Sequence, residues 1–229
     1  MAGAPGAGKS TIAAEIVRRL NLKPANAKSP STPSPHTRPE GPVAVCVGMD
    51  GFHYPRSYLD TLPNRNEAYA RRGAPWTFDV HGILSLMRRL REWADRNPSL
   101  PNQTSTPPTE VPILAPSFSH TIKDPVSDGI QIPSTVSIIL VEGNYLLLEE
   151  DGWSDVSPLV DLRIFIDVDL AIARERLARR HVAAGIEQTL EDALRRVDRN
   201  DYLNGRLIKD KLVQFDLLVT SVEDKILGT

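Results

Sequence analysis

The chain has 229 residues, 41% hydrophobic and 24% charged, which suits one globular α/β domain over 1–229 with a small lid or insertions. Its net charge of -2 gives no electrostatic case for a nucleic-acid or membrane partner. A single cysteine, Cys46, excludes an intramolecular disulfide framework and a cysteine-based zinc cluster. No stretch approaches the roughly 18 apolar residues of a membrane span, and the amino terminus does not read as a secretory signal. The expected setting is therefore the reducing cytoplasm.

Taken in chain order, Gly3 to Ser10 read GAPGAGKS, and STIAAEIVRRLNL then places Ile12, Ile16, Val17 and Leu20 on one helical face. A Pro- and Ser-rich stretch over 23–42 has no periodicity and is expected to be a flexible insertion. VAVCVGMD is a short apolar strand ending at Asp50, and 55–80 look irregular. VHGILSLMRRLREWADR is an amphipathic helix, followed by a second polar insertion over 95–110. TVSIILVEGNYLLL contains the next buried strand, with Glu142 at its end, and LRIFIDVD contains another. Helices follow over 170–206, the expected lid and substrate side, and FDLLVTS is a last short strand. Strands separated by helices imply a doubly wound parallel sheet, which gathers ligands at the carboxyl ends of its strands. Asp50 and Glu142 both fall at such ends.

The G-x-x-x-x-G-K-S pattern has a physical reason. Its glycines let successive backbone N–H groups turn toward phosphate oxygens, and the following helix adds the positive end of its dipole. Gly3, Ala4, Pro5, Gly6, Ala7, Gly8, Lys9, Ser10 and Thr11 are thus candidate ATP contacts. Lys9 would reach the β- and γ-phosphates, and Ser10 would offer its hydroxyl to Mg²⁺. Asp50 is placed to take a proton from a substrate hydroxyl attacking the γ-phosphate; the plainer reading is an Asx-turn residue closing the strand. Glu142 is the candidate to hold Mg²⁺ or its water shell. Seven arginines crowd one late stretch: Arg174, Arg176, Arg179, Arg180, Arg195, Arg196 and Arg199. They read either as a solvated helix face or as a lid closing over phosphates.

Seven ordered motifs carry a resemblance: GAPGAGKS, MDGFHYP, RRGAPWTFDVH, APSFSH, VEGNYLLL, RERLARRH and DYLNGRLI. Together they resemble the P-loop kinases of the uridine kinase, phosphoribulokinase and bacterial-type pantothenate kinase superfamily, in a little-characterised nucleoside- or pantothenate-kinase-like branch. The resemblance implies ATP and Mg²⁺ as cofactors and a small hydroxylated metabolite as acceptor, nucleoside-like first and pantothenate- or sugar-like second. It also implies roles. Asp50 matches the catalytic aspartate, Lys9 and Ser10 the nucleotide and magnesium contacts, and Glu142 the acidic residue after the third strand. Arg176 resembles the lid arginine that stabilises transfer, with Arg180 one turn on. Asp79, His81, His120 and Asn204 resemble acceptor-side residues. Two departures blur the acceptor: Ala173 stands where the pantothenate enzymes carry a tyrosine, and the pyrimidine-reading loop of the uridine enzymes is not reproduced between Ser117 and Asp124.

In such kinases an apolar central strand feeds the phosphate loop, yet only Met1 and Ala2 precede it here, so that first strand is expected to be missing. Each buried backbone group left unpaired costs about 1–3 kcal/mol, against a net stability of about 5–15 kcal/mol. An amino-terminally truncated, inactive form is therefore one alternative reading. TEVPILAP is apolar enough to fill the slot, but its prolines argue against a central position. A P-loop ATPase or nucleotide switch without a small acceptor is the other alternative. The oligomeric state is not specified, and a homodimer stays open.

Overall fold

The structure, a computed structural model, describes residues 1–22, 41–96 and 111–222. The two polar stretches expected as insertions lie almost wholly outside the described residues. A parallel sheet forms the central layer. In it β2 (Ala44–Gly48) pairs with β5 (Ile138–Glu142), and β6 (Ile164–Asp167) pairs with β7 (Leu217–Thr220). Between these ladders lies β1 (Ala2–Gly3), parallel to β6 and bridged to Gly143 at the end of β5. The spatial order is therefore β2-β5-β1-β6-β7. The strands are short apolar runs such as AVCVG and IFID, as a sheet covered on both faces requires.

The central strand is thus not missing, contrary to the expectation from sequence. A two-residue stub fills the part of the slot next to the phosphate loop. The Met1 amine donates to the Val141 carbonyl at 2.8 Å, and Gly143 N–H donates to the Met1 carbonyl. Farther from the loop, Ile138 to Leu140 and Ile164 instead line an apolar cavity of about 320 Å³ against Met87, Leu90 and Trp93. The described part of the TEVPILAP stretch, from Val111, does not enter the slot. It leads into β3 (Ile113–Ser119), which forms an antiparallel hairpin with β4 (Asp124–Ile132).

Helices cover the sheet. α1 (Lys9–Asn21) follows the loop and packs on β2 and β5. Between β2 and β3 come α2 (Arg56–Leu59), α3 (Arg65–Ala70) and α4 (Val80–Arg96). Ile83, Leu84, Met87 and Leu90 of α4 join the core with Val47 and Phe165. After β6 come α5 (Leu170–Ala183), α6 (Leu190–Arg199) and α7 (Asp201–Asp210). Asp169 caps α5 by accepting from the N–H groups of Ala171 and Ile172. Thr189 caps α6 through Asp192 N–H.

Glycine spacing presses the turn after β2 onto its neighbours. A Cβ on Gly143 would lie 2.3 Å from Met49 Cβ, and one on Gly51 would lie 2.4 Å from the Pro116 carbonyl oxygen. Gly143→Ala is therefore expected to destabilise the fold by about 1–3 kcal/mol through overpacking, read as a lower melting temperature in thermal unfolding.

Candidate active site

The loop between β1 and α1 has the geometry of an anion cradle. Gly6 and Gly8 adopt φ of 80° and 82°, a conformation that glycine enters without steric cost. Gly8 is the N-cap of α1, makes no side-chain cap, and is followed by no acidic residue in the first turn. The first turn of this 13-residue helix thus carries no side-chain cap, which leaves its N–H groups open to an anion. Thr11 lies exposed on that same turn.

Lys9 is buried, with its ammonium donating to the Ala4 carbonyl at 2.9 Å. Burial is the largest influence on it and holds its pKa down to about 8, against the favourable charges of Glu142 and Asp50, with a smaller push in the same downward direction from Arg180. Three of the expected residues therefore share one electrostatic neighbourhood with this lysine. Register explains why. Gly48 is the partner of Glu142 in the β2–β5 ladder, and Asp50 lies two residues beyond, on the 3₁₀ turn Met49–Phe52. Ser10 donates its hydroxyl hydrogen to Glu142 Oε1 at 3.0 Å. Burial raises the Glu142 pKa, while Lys9 and Ser10 work to lower it. Among the described residues no group of three or more His, Cys, Asp or Glu side chains is arranged to hold a metal ion. A hydroxyl beside a single carboxylate does fit Mg²⁺, which keeps most of its waters and takes its other ligands from phosphate.

The arginine cluster divides. Arg174 pairs with Asp198, Arg179 with Glu175, Arg195 with Glu191 and Asp192, and Arg196 with Glu187. These form the solvated face. Arg176 instead reaches the loop, with Nη1 2.8 Å from Ser221 Oγ and 3.4 Å from the Gly6 carbonyl. Arg180 is exposed on the same helix, and its charge is felt at Lys9.

The acceptor-side expectations fare unevenly. Asp79 sits at the start of α4, where Oδ1 accepts from Gly82 N–H at 2.9 Å. A short antiparallel ladder ties it to the Asp50 turn: Asp79 N–H donates to the Phe52 carbonyl and Tyr54 N–H to the Thr77 carbonyl. His120 is exposed past the end of β3, its ring 5.4 Å from Phe118, which in turn packs on His53. His81 opens elsewhere, into an open cavity of about 850 Å³ with Tyr54, Arg71, Trp76, Glu150 and Lys211. Asn204 is 2% exposed and already engaged: it accepts from Arg71 and donates to the Gly73 carbonyl. Sequence reasoning missed His53, whose Nδ1 lies 2.9 Å from the Asp50 carbonyl. It also missed Arg72, which joins the Tyr54 and Lys123 carbonyls to Asp124. MDGFHYP carries no periodic signal that distinguishes His53 from a loop residue.

A phosphate loop on a parallel sheet, with strand-end carboxylates converging on its lysine, defines a P-loop kinase. The comparisons with known proteins agree. No protein-family model matches the chain. Over all 229 residues it is 34% identical to a Schizosaccharomyces pombe protein named "Putative uridine kinase C227.14", covering 85% of that protein. It is 41% identical over 165 residues to an "ATP-dependent kinase-like protein notR'" of Aspergillus versicolor, covering 72% of this chain and 89% of that one. It is 34% identical over 211 residues to the "ATP-dependent kinase YFH7" of Lachancea thermotolerans, spanning 84% of this chain and 60% of that protein. The solved structure of YFH7 from Saccharomyces cerevisiae, described as "a putative P-loop containing kinase with a circular permutation", superposes with a TM-score of 0.76 at 25% identity, over 97% of this chain and 91% of that one. A fructose transport system kinase structure from Silicibacter sp. TM1040, also titled "putative", gives 0.69 at 27% identity, over 95% and 86%. The chain belongs to this uridine-kinase-like, YFH7-containing family of ATP-dependent P-loop kinases.

Proposed function

We propose that the protein transfers the γ-phosphoryl group of ATP to a hydroxyl of a small metabolite. The observation that carries this is the convergence of Asp50 and Glu142 on Lys9 at the mouth of the phosphate loop. The uncapped N–H groups of α1 and the backbone around Gly6 and Gly8 hold the triphosphate. Lys9 exchanges the Ala4 carbonyl for phosphate oxygens, which restores its full charge. Asp50, half exposed on its turn, orients the acceptor hydroxyl and receives its proton as the oxygen attacks phosphorus. The bond from the γ-phosphorus to the bridging oxygen breaks, and ADP leaves. Arg176 and Arg180, on the helix packed against the loop, balance charge on the transferring group. Ser10 and Glu142 would hold Mg²⁺, which supplies charge neutralisation between the phosphates. Nucleoside- or riboside-like alcohols are the first acceptors to consider, the S. pombe relative being named for a uridine kinase. Asp79 and His120, on either side of the Asp50 turn, are the residues proposed to contact them.

The test is ADP release across a panel of nucleosides, vitamins and sugars. Acceptor-dependent turnover with a phosphorylated product is expected; hydrolysis at the same rate with and without acceptor would establish the ATPase alternative instead. Glu142→Gln is expected to raise the Mg²⁺ concentration for half-maximal rate by about tenfold, because the hydroxyl of Ser10 keeps a partner but the metal loses an anionic one. Titrating Mg²⁺ at saturating ATP measures this.

A further inference from the structure

β1 is shorter than the strands on either side of it, and register shows what those neighbours leave unused. Successive residues of a strand turn their backbone N–H and C=O groups to opposite edges. On β5, Ile138 gives its N–H to the Val43 carbonyl, on the β2 side. The Val141 carbonyl accepts from the Met1 amine and Gly143 N–H donates to the Met1 carbonyl, on the β1 side. Ile139 therefore turns both its N–H and its C=O to the β1 side, and Val141 turns its N–H there. β1 stops at Met1, short of all three groups. On β6, the Arg163 and Asp167 carbonyls accept from the N–H groups of Leu217 and Ser221, toward β7. Ile164 N–H is thereby turned to the other edge, where β1 pairs only from Phe165 onward.

The space between these groups is the apolar cavity of about 320 Å³, covered by Met87, Leu90 and Leu159. Neighbouring strands lie about 4.8 Å apart, so β5 and β6 leave room there for one strand and nothing wider. Met1 forms the inner end of the cavity, and its amine is buried. Burial is the main influence and brings that amine down to about 6, while Glu142 and Cys46 raise it and Lys9 lowers it. It is mostly uncharged at pH 7, and a carboxylate brought against it would restore its proton. Exposed Asp161, paired with Arg91, also lines the cavity. The stretch 97–110 follows α4, whose Trp93 and Ala94 line the cavity, but its four prolines and single large apolar residue, Leu100, do not suit a buried strand.

We propose that this slot binds the carboxyl-terminal end of another polypeptide, an extended run of about four apolar residues that adds as a strand parallel to β5 and β6 and sets its terminal carboxylate against the Met1 amine. The last residue of that strand gives its N–H to the Ile139 carbonyl, and its carboxylate takes the Val141 N–H. The residue two earlier accepts from Ile139 N–H. The parallel sense follows from the end groups, since an antiparallel strand would bring an amino terminus to Met1.

The probe is acetyl-Lys-Lys-Val-Ile-Val-Val with a free carboxylate, added to the full chain. One peptide per chain is expected to bind with a Kd below about 1 mM and to raise the unfolding temperature. It is expected to slow amide exchange at Ile139, Val141 and Ile164 by about tenfold or more. Calorimetry at about pH 7.5 in buffers of different ionisation enthalpy is expected to count close to one proton taken up. The same peptide with a terminal amide is expected to bind about tenfold more weakly and without that uptake. A peptide ending in proline, which has no N–H for the Ile139 carbonyl, is expected to lose about tenfold as well. Failure of the free acid to bind overturns the proposal, as does equal binding by the amide or by the proline-ended peptide, or protection confined to β7. It is overturned too if the three amides are as protected without peptide as with it. Protection that then grows with protein concentration would assign the slot to a second copy of this chain, and protection that does not would assign it to a segment of the same chain.

Discussion

Lys9→Met is expected to lower kcat/KM for ATP by about 10²–10³-fold, the loss seen when one preorganised charge at a transfer site is removed. Methionine keeps the length and the apolar stem, so the packing under the loop is retained while the ammonium is lost. The same lysine produces a pH signature. In the free protein burial holds it near 8 instead of 10.5, so it sheds its proton at mildly alkaline pH unless phosphate arrives to keep it charged. ATP affinity of the wild type is expected to decline as pH rises through about 8, with proton uptake on binding, and that decline is absent in Lys9→Met. The stability sign is the opposite. Between about 8 and 10.5 the unfolded chain holds a proton on Lys9 that the folded chain has lost, so the nucleotide-free protein gains stability as pH rises through this window. Thermal unfolding of wild type and variant across that range measures the difference, and calorimetry in buffers of different ionisation enthalpy counts the protons.

Much of this arrangement was legible in the residues. GAPGAGKS specified a loop, and the short apolar runs ending at Gly48 and Glu142 placed two carboxylates at or just past strand ends; the β2–β5 register pairs Gly48 with Glu142, with Asp50 two residues beyond on the following turn. What the sequence hid follows from physics that acts between distant segments. β1 is only two residues long, below any periodic signal, and exists because the backbones flanking it supply its partners. β4 was overlooked because DPVSDGIQI mixes polar residues into an exposed strand whose pairing comes from β3 and the tight turn at Lys123, at φ 58°. Asn204 has the residue type of a substrate contact, and only tertiary packing shows that Arg71 and Gly73 already use it. The arginines of α5 and α6 look alike in sequence. On the folded helices Arg174, Arg179, Arg195 and Arg196 meet carboxylates, while Arg176 reaches the Gly6 carbonyl and the charge of Arg180 is felt at Lys9.

Asp50→Asn is expected to lower kcat by about 10²–10⁴-fold, the span that a positioned general base contributes, with ATP binding retained. The retained binding follows from the geometry. The first-turn N–H groups, the Ala4 carbonyl on Lys9 and the Ser10–Glu142 contact do not involve the Asp50 side chain. The turn itself is held by backbone: Gly51 against Pro116, Gly143 against Met49, and His53 on the Asp50 carbonyl. Asparagine therefore occupies the same place, keeps an oxygen to accept a hydrogen bond, and loses only the negative charge that drives proton acceptance. That charge also favours the protonated form of Lys9. In Asp50→Asn the lysine pKa falls further, and the alkaline decline in ATP affinity begins at a lower pH than in the wild type. Single-turnover phosphoryl transfer, with ATP affinity measured separately across pH, resolves both effects. A variant that still transfers phosphate at the wild-type rate would remove Asp50 from the chemistry, while one whose alkaline decline does not move would show that the carboxylate and the ammonium act independently.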